Sequence, residues 1–270
     1  MKNPLVSIII PTYNDEKTIG KIIERTLGQP YKNVEIIVVN DGSQDATADV
    51  VGEYVDMDSR LKMVTQENEG ASGARNAGIK IATGDYVMFF DADDDVEDEM
   101  IEKMVGLIEK NKTSLVVCGQ LINDRALLPD KTGIIKNDLK AHVVNAILKN
   151  GLLYSPCNKI YNMQTIRDND IQFDVKVGYG EDLIFNLEYL GFVDSIYYVR
   201  KPFYKYKHTQ EGYSAKNAVS KKYRGAMYDA LKNYVGDASR NVKVRFAMRL
   251  VKMRWGASVY KAKIIGRADG

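Results

Sequence analysis

Two cysteines, two histidines and one tryptophan are all that 270 residues hold of those types. Cys118 and Cys157 form no C-x-x-C pair, which argues against a disulfide scaffold and favours a reducing compartment. His142 and His208 fit no Ser-His-Asp or Cys-His spacing, and they leave a zinc site short of ligands. No apolar run nears the roughly 20 residues that cross a membrane. Met1 to Ile10 imitates a signal peptide, with Lys2 ahead of Val6-Ser7-Ile8-Ile9-Ile10, but Pro11 and Asn14 cut the run short and no small-residue cleavage site follows. It reads as a buried strand, and the protein is expected in the cytoplasm. With 45% apolar and 27% charged residues, neither disorder nor a collagen-like repeat fits.

Net charge is also small, +2, but the total conceals a division. From Arg200 to Gly270 there are 18 basic and 4 acidic residues; the preceding residues hold 20 basic and 32 acidic. Such asymmetry indicates two functional regions.

Along the first 120 residues, strand and helix patterns alternate. Leu5–Ile10 and Glu35–Val39 are short β-branched runs of the kind buried on both faces, Leu61–Val64 is a weaker strand, and Asp85–Phe90 is another. Between them fall a helix capped by Asp15 with Ile19, Ile22, Ile23 and Leu27 at helical spacing, a helix through Val50, Val51 and Tyr54, and a short helix carrying Arg75 after a Gly70–Gly73 turn. A helix over Val96–Asn111 and a strand at Leu115–Cys118 follow. This alternation predicts a mostly parallel α/β sheet whose ligands bind beyond the carboxyl ends of its strands. Leu121–Lys136 reads as an insertion or lid. Leu139–Leu148 and Glu181–Leu190 read as helices, Ser195–Val199 and Phe203–Tyr206 as strands, and about Ser220–Val235 and Asn241–Ile264 as two long helices.

Polar clusters stand at the expected strand ends: Thr12-Tyr13-Asn14, Asn40-Asp41-Gly42 and Asp91-Ala92-Asp93. In an extended segment, residues i and i+2 point the same way, so Asp91 and Asp93 can reach one hard cation, Mg²⁺ or Mn²⁺; an acidic helix cap is the plainer alternative. Asp41 suits a nucleobase or ribose, or else an Asx turn. The Asn68–Gly78 loop, with Arg75, could hold a diphosphate or a base edge, or be a turn with a surface arginine. Glu181 and Asp182 open a helix, either as caps or as a general base for an acceptor hydroxyl. In Tyr204-Lys205-Tyr206-Lys207-His208, Lys207 could grip a diphosphate and His208 could ligate a metal, or the segment could be a strand's exposed face.

In order, Ser7–Asn14, Val39–Asp45, Asn68–Gly78, Asp91-Ala92-Asp93, Ser155–Tyr161 and Gly180-Glu181-Asp182 resemble the family 2 glycosyltransferases, whose fold is GT-A. The resemblance covers about the first 215 residues and implies transfer of one sugar, with inversion, from a nucleotide donor, most often a UDP-sugar. It implies that Pro11, Tyr13 and Asp41 hold base and ribose, that Asn68 and Arg75 position the nucleotide, and that Asp91 and Ala92 line the nucleotide-sugar. It further implies Asp93 as metal ligand with Asp91, Asp182 as catalytic base, and Glu181 orienting the acceptor. A retaining reaction would need a second nucleophile, and none is evident. Two departures are notable. Relatives often have arginine near Lys205–His208, and usually tryptophan where Cys157 stands. Arg254-Trp255 lacks the glutamine of the processive Q-x-x-R-W motif, so single-sugar transfer is expected.

The expected organisation is a catalytic domain over 1–215, with a nucleotide half (1–120) and an acceptor half (121–215), and a basic helical region over 216–270. From Arg240 onward, cations interleave with Val242, Val244, Phe246, Leu250, Val251, Met253 and Trp255. Such a helix can lie on anionic lipid at the inner face of the plasma membrane, or pack its apolar face on the core or a second subunit. Nucleic acid is disfavoured by the acidic remainder. The expected acceptor is a cell-surface polysaccharide, teichoic-acid-like or lipid-linked glycan. A nucleotidyltransferase or a non-catalytic assembly subunit on the same fold are the alternatives.

Overall fold

The computed structural model describes residues 3–123, 125–149, 151–206, 221–240, 244–253 and 255. Among these residues ten strands form one sheet, eight of them in the path order β3-β2-β1-β4-β9-β6-β10-β5. Here β1 is Val6–Thr12, β2 Val34–Asn40, β3 Leu61–Thr65 and β4 Tyr86–Phe89; β5 is Asp95–Val96, β6 Leu115–Ile122, β9 Lys159–Asn162 and β10 Ile196–Tyr206. Every residue of β1, β2 and β4 is buried, as expected of β-branched and aromatic runs covered on both faces. The pairs β1–β2, β1–β4 and β2–β3 are parallel, with Thr12 opposite Asn40, so the Tyr13 and Asp41 turns leave the same edge. β9 runs antiparallel to both β4 and β6, and β6 pairs parallel with β10.

The helices are α1 (Ile19–Leu27), α2 (Thr47–Met57), α3 (Gly70–Ile81), α4 (Met100–Asn111), α5 (Leu139–Lys149), α6 (Met163–Asp168), α7 (Glu181–Leu190) and α8 (Lys221–Val235). α3 packs on β1 and β2, α4 on β6 and β10, and α7 on α8. An aromatic cluster binds the sheet to α7: Phe173 and Phe185 stack at 4.0 Å, and Phe89 meets both edge-on.

Several sequence expectations change here. Leu121–Lys136 is not a lid: β6 continues to Ile122, β7 (Arg125–Leu127) folds back on it, and β8 (Gly133–Ile135) pairs antiparallel with β10. Backbone pairing accommodates a segment whose side chains lack periodicity. Ser195–Val199 and Phe203–Tyr206 are one strand, with irregular register around Pro202, which has no N–H to donate. Helix α3 begins at Gly70 itself, and α4 begins at Met100 because Asp95–Val96 pair with β10. Asp15 does not cap α1 with its side chain; its carboxylate accepts from the Thr12 hydroxyl and the Tyr13 amide, both at 2.9 Å. The basic Asn241–Ile264 stretch is helical over residues 244–253, and residues 256–264 lie outside the described ones.

Candidate active site

The loops beyond β1 and β2 are tied together. The Asn14 amide donates to Ser43 Oγ (3.0 Å), and the Gln44 amide donates back to Asn14 Oδ1 (2.7 Å). Asn14 has a φ of 57°, a left-handed conformation that asparagine tolerates. Pro11 is buried at the end of β1, while Tyr13, just past the strand, is 48% exposed. Asp41 is buried and heavily engaged: Oδ1 accepts from Gln66 Nε2 (2.8 Å) and the Glu69 amide (2.9 Å), and Oδ2 accepts from the Gly70 amide (2.8 Å). An anion therefore already occupies the N-terminal approach of α3. Asn68 is exposed beside it, and Gly42 (φ +77°) leaves no slack for a side chain against the Asn68 amide.

Arg75 is the hub of the site. From the first turns of α3 its Nη1 donates to Asp182 Oδ1 at 3.0 Å and its Nη2 to Asp91 Oδ1 at 2.8 Å, with the guanidinium 5.3 Å above the Phe173 ring. It is buried, and burial alone would disfavour its charge, yet Asp182 and Asp91 outweigh that and keep it protonated. Sequence reasoning pointed this arginine at a nucleotide; its partners here are the two acids. Nε has no partner among the described residues.

Asp91 is held from three sides. Its other oxygen lies 3.4 Å from Cys157 Sγ, and its amide donates to the Tyr204 hydroxyl (3.0 Å), which itself donates to Asp94 Oδ2 (2.7 Å). Tyr204 is thus a buried brace for the acidic turn, not an exposed strand face. Lys205 pairs with Glu97 at 2.8 Å. Ala92 is buried and Asp93 half-buried in the same turn. Lys207 and His208 lie outside the described residues, so the expected third ligand is not placed.

Among the described residues no group of three or more His, Cys, Asp or Glu side chains gathers as a metal cage. Asp91–Asp94 is a turn closed by the Asp94 amide on the Asp91 carbonyl (3.2 Å), not the extended run expected. Both carboxylate oxygens of Asp91 already have partners in Arg75 and Cys157. Carboxylates such as these suit a divalent ion only where substrate phosphates and water complete its shell. They do not form an all-protein cage.

Glu181 and Asp182 open α7, at the positive end of its dipole. Gly180 precedes them with a φ of +91°, and a Cβ there would lie 2.5 Å from the Met227 side chain on α8. The C-terminal helices thus press on the turn that aims both acids. Burial pushes Asp182 up to about 7, opposed by Arg75 and reinforced by Glu181 and Asp91. Water reaches 30% of its side chain. Glu181 is also raised, chiefly by burial, and its Oε2 is buried without a hydrogen-bond partner.

The segment after α5 completes the floor. Lys159 is fully buried, with Nζ donating to the Leu152 carbonyl (2.8 Å), to Asn158 Oδ1 (2.8 Å) and to the Ser155 carbonyl. Burial lowers that ammonium to about 7. Asn186 on α7 donates to the Leu153 and Tyr154 carbonyls, each at 3.0 Å. Asn76 on α3 exchanges two 2.8 Å bonds with the Phe173 backbone. Sequence reasoning missed the roles of Lys159, Asn76, Tyr204 and Met227. The Ser155–Tyr161 and Asn68–Gly78 motifs and the Tyr204–His208 segment flagged the first three by position only, and nothing local flagged Met227.

Comparison with known proteins gives the family and the fold. The sequence profile described as Glycosyl transferase family 2 matches residues 7–169. The putative glycosyltransferase EpsH of Bacillus subtilis (strain 168) is 32% identical over 213 residues, 77% of this chain and 62% of that protein. Glycosyltransferase GlyA of Streptococcus pneumoniae serotype 4 is 29% identical over 241 residues, 84% of this chain and 33% of that protein. The chain thus spans less than two thirds of these relatives. In fold, it resembles S. aureus TarS 1-349 in complex with UDP-GlcNAc (TM-score 0.73, 23% identity, 91% of this chain and 70% of that one). It also resembles the mannosyltransferase PcManGT from Pyrobaculum calidifontis in complex with GDP-Man and Mn²⁺ (TM-score 0.63, 16% identity, 99% and 81%). Both share the GT-A architecture expected from the motifs.

Proposed function

The chain belongs to glycosyl transferase family 2, and on that premise we propose that it transfers one sugar from a nucleotide-sugar, with inversion, to a hydroxyl of a cell-envelope glycan. The acceptor class is a surface polysaccharide, a teichoic-acid-like polymer or a lipid-linked glycan. One observation carries the mechanism: a single guanidinium joins Asp91, on the donor side, to Asp182, at the head of α7.

In this reading the acceptor hydroxyl approaches Asp182. Oδ1 is occupied by Arg75, which leaves Oδ2 to take the proton as the new bond from the acceptor oxygen to the anomeric carbon forms. The bond from that carbon to the diphosphate oxygen breaks, and its electron pair leaves with the nucleoside diphosphate. An alcohol is a weak acid, so the proton moves late; a base raised to about 7 is matched to that task near neutral pH. The buried, unpartnered Oε2 of Glu181 would accept from a second acceptor hydroxyl and orient the sugar. Asp91 and Asp93 would hold a Mn²⁺ or Mg²⁺ ion, which when bound neutralises charge on the departing diphosphate. Pro11, Tyr13, Asp41 and Asn68 would line the nucleoside. Since Asp41 already accepts three hydrogen bonds, one further contact at Oδ2 is the most it can offer.

A uridine donor is favoured by the likeness to TarS with UDP-GlcNAc, and a guanosine donor is the second reading from PcManGT with GDP-Man. Thermal-shift titrations with UDP- and GDP-sugars, with and without Mn²⁺, discriminate the two. The reading expects a metal-dependent rise in Tm for one donor series, abolished in Asp93→Ala. It also expects sugar transfer to fall at least 100-fold in Asp182→Asn. Unchanged transfer in Asp182→Asn would refute the assigned base.

A further inference from the structure

The helical stretch 244–253 divides its surface unequally. Val244, Ala247, Met248 and Val251 are buried against the rest of the protein. The sequence left open whether this amphipathic helix would lay that face on lipid, and the structure has used it for packing. The opposite side is unusual in a different way. Phe246 and Met253 are 63% and 60% exposed, and the exposed Arg245, Arg249 and Lys252 stand beside them. At 100° per residue these five fall within an arc of about 120°, facing away from the buried face.

We infer that this outer stripe docks the protein on an anionic lipid bilayer, with Phe246 and Met253 entering the headgroup region and Arg245 and Arg249 facing lipid phosphates, while the Lys252 ammonium lies 5.7 Å from the centre of the Tyr228 ring on α8. Three observations support lipid as the occupant. No Asp or Glu occurs between Asp237 and Asp269, while that interval holds Arg240, Lys243, Arg245, Arg249, Lys252 and Arg254 among its cations. Among the described residues no ion pair involves the three stripe cations. A second copy would have to meet the stripe with an acidic patch or, in a two-fold dimer, set like charges against each other. A bilayer surface accepts cations and shallow apolar anchors together.

The stripe also connects to the site. At the end of the stretch, Trp255 Nε1 donates to the Tyr154 hydroxyl (3.1 Å), and the Trp255 carbonyl accepts from Arg224 (2.5 Å). Tyr154 belongs to the segment held by Asn186 and Lys159 whose Cys157 touches Asp91. Docking would therefore fix the cleft relative to the membrane, which suits a membrane-anchored acceptor. That consequence rests on the sugar-transfer reading; the docking itself does not.

The test is flotation of the full chain with vesicles of phosphatidylcholine containing 30% phosphatidylglycerol, and with pure phosphatidylcholine vesicles, at low and high salt. Wild type should float with the anionic vesicles only, and 0.5 M NaCl should release it. Arg245→Glu/Arg249→Glu should lower the partition coefficient at least tenfold. Phe246→Ser/Met253→Ser, which leaves the charge unchanged, should lower it several-fold. Both variants should keep the wild-type Tm, since the substituted side chains are exposed. Absence of binding by wild type, or binding by both variants as tight as that of wild type, overturns the inference. So does sedimentation showing a wild-type dimer that Phe246→Ser/Met253→Ser dissociates, because the face is then a subunit interface. Vesicle binding is read without donor or acceptor, so its failure leaves sugar transfer standing, and loss of the transfer reading would leave docking standing.

Discussion

Arg75→Lys separates two accounts of the same arginine. Arginine spans Asp182 and Asp91 with different nitrogens at 3.0 and 2.8 Å. A lysine ammonium is one point and cannot hold both acids with that geometry. If it keeps the shorter contact to Asp91, Asp182 loses a charge-assisted hydrogen bond, worth roughly 1.5–3 kcal/mol. At 1.36 kcal/mol per pKa unit, that raises the base by about one to two units. The retained positive charge and the 30% exposure of the Asp182 side chain favour the lower figure. From about 7, the base would move to about 8, and its ionised fraction at pH 7 would fall from about half to about a tenth. The expected result is a roughly fivefold loss of kcat/KM at pH 7, recovered near pH 9, with the acid limb of the pH profile displaced upward by about one unit. Tm should stay within a few degrees, since a cation remains between the acids. The assay is sugar transfer, or donor hydrolysis, from pH 5.5 to 9.5. An acid limb that does not move, together with a raised KM for the donor, would refute this reasoning and return Arg75 to the nucleotide.

Three further outcomes follow from other parts of the structure. Glu35 is pushed up by burial, but Lys62, Ser7 and Thr83 outweigh that and hold it at about 2. A depressed carboxylate stabilises the fold above its unfolded value, and that stability is lost as pH falls from about 4.5 toward 2. Glu35→Gln should therefore cost roughly 1–3 kcal/mol at pH 7, discounted for the half-exposed Lys62, and flatten the acid limb of a urea-denaturation series; an unchanged acid limb would count against the network. Gly180→Ala should lower stability by about 1–3 kcal/mol through its positive φ and the Met227 contact, and lower kcat by misaiming Asp182. Adding Met227→Ala should restore part of the stability; full restoration would mean that the backbone conformation is unstrained. In Asp182→Asn, the raised carboxylate predicts a sign opposite to the usual: the wild type bears a cost that grows as pH rises from about 4 through about 7, so the variant should melt higher than wild type at pH 8 and equally at pH 4.

Much of the fold was legible because its signals are local. The β-branched β1 and β2 runs, the helical spacing in α1 and the polar residues after each strand specify alternating elements whose C-terminal edge gathers function. The Glu181–Leu190 helix and its two acidic openers were equally plain, since turn glycine and helix periodicity adjoin. β7, β8 and β9 were not legible. They are three- or four-residue strands added to a sheet whose interior already exists, and cross-strand pairing with β6, β10 and β4 stabilises them more than their own sequence does. The lid reading of Leu121–Lys136 failed for that reason.

The site divides in the same way. Sequence by itself determined the acids, their order and the family they belong to, because each motif is a short run that local geometry makes meaningful. Only the tertiary structure decided what Arg75 holds, since its partners lie 16 and 107 residues away. Only there does the buried Lys159 fasten the loop that sets Cys157 against Asp91, and only there does Met227 seal the Gly180 turn. The basic tail makes the point once more. Its amphipathic pattern determined that one face would be buried, but packing decided which, and so left Phe246 and Met253 outside among cations, where their exposure has a use that periodicity could not reveal.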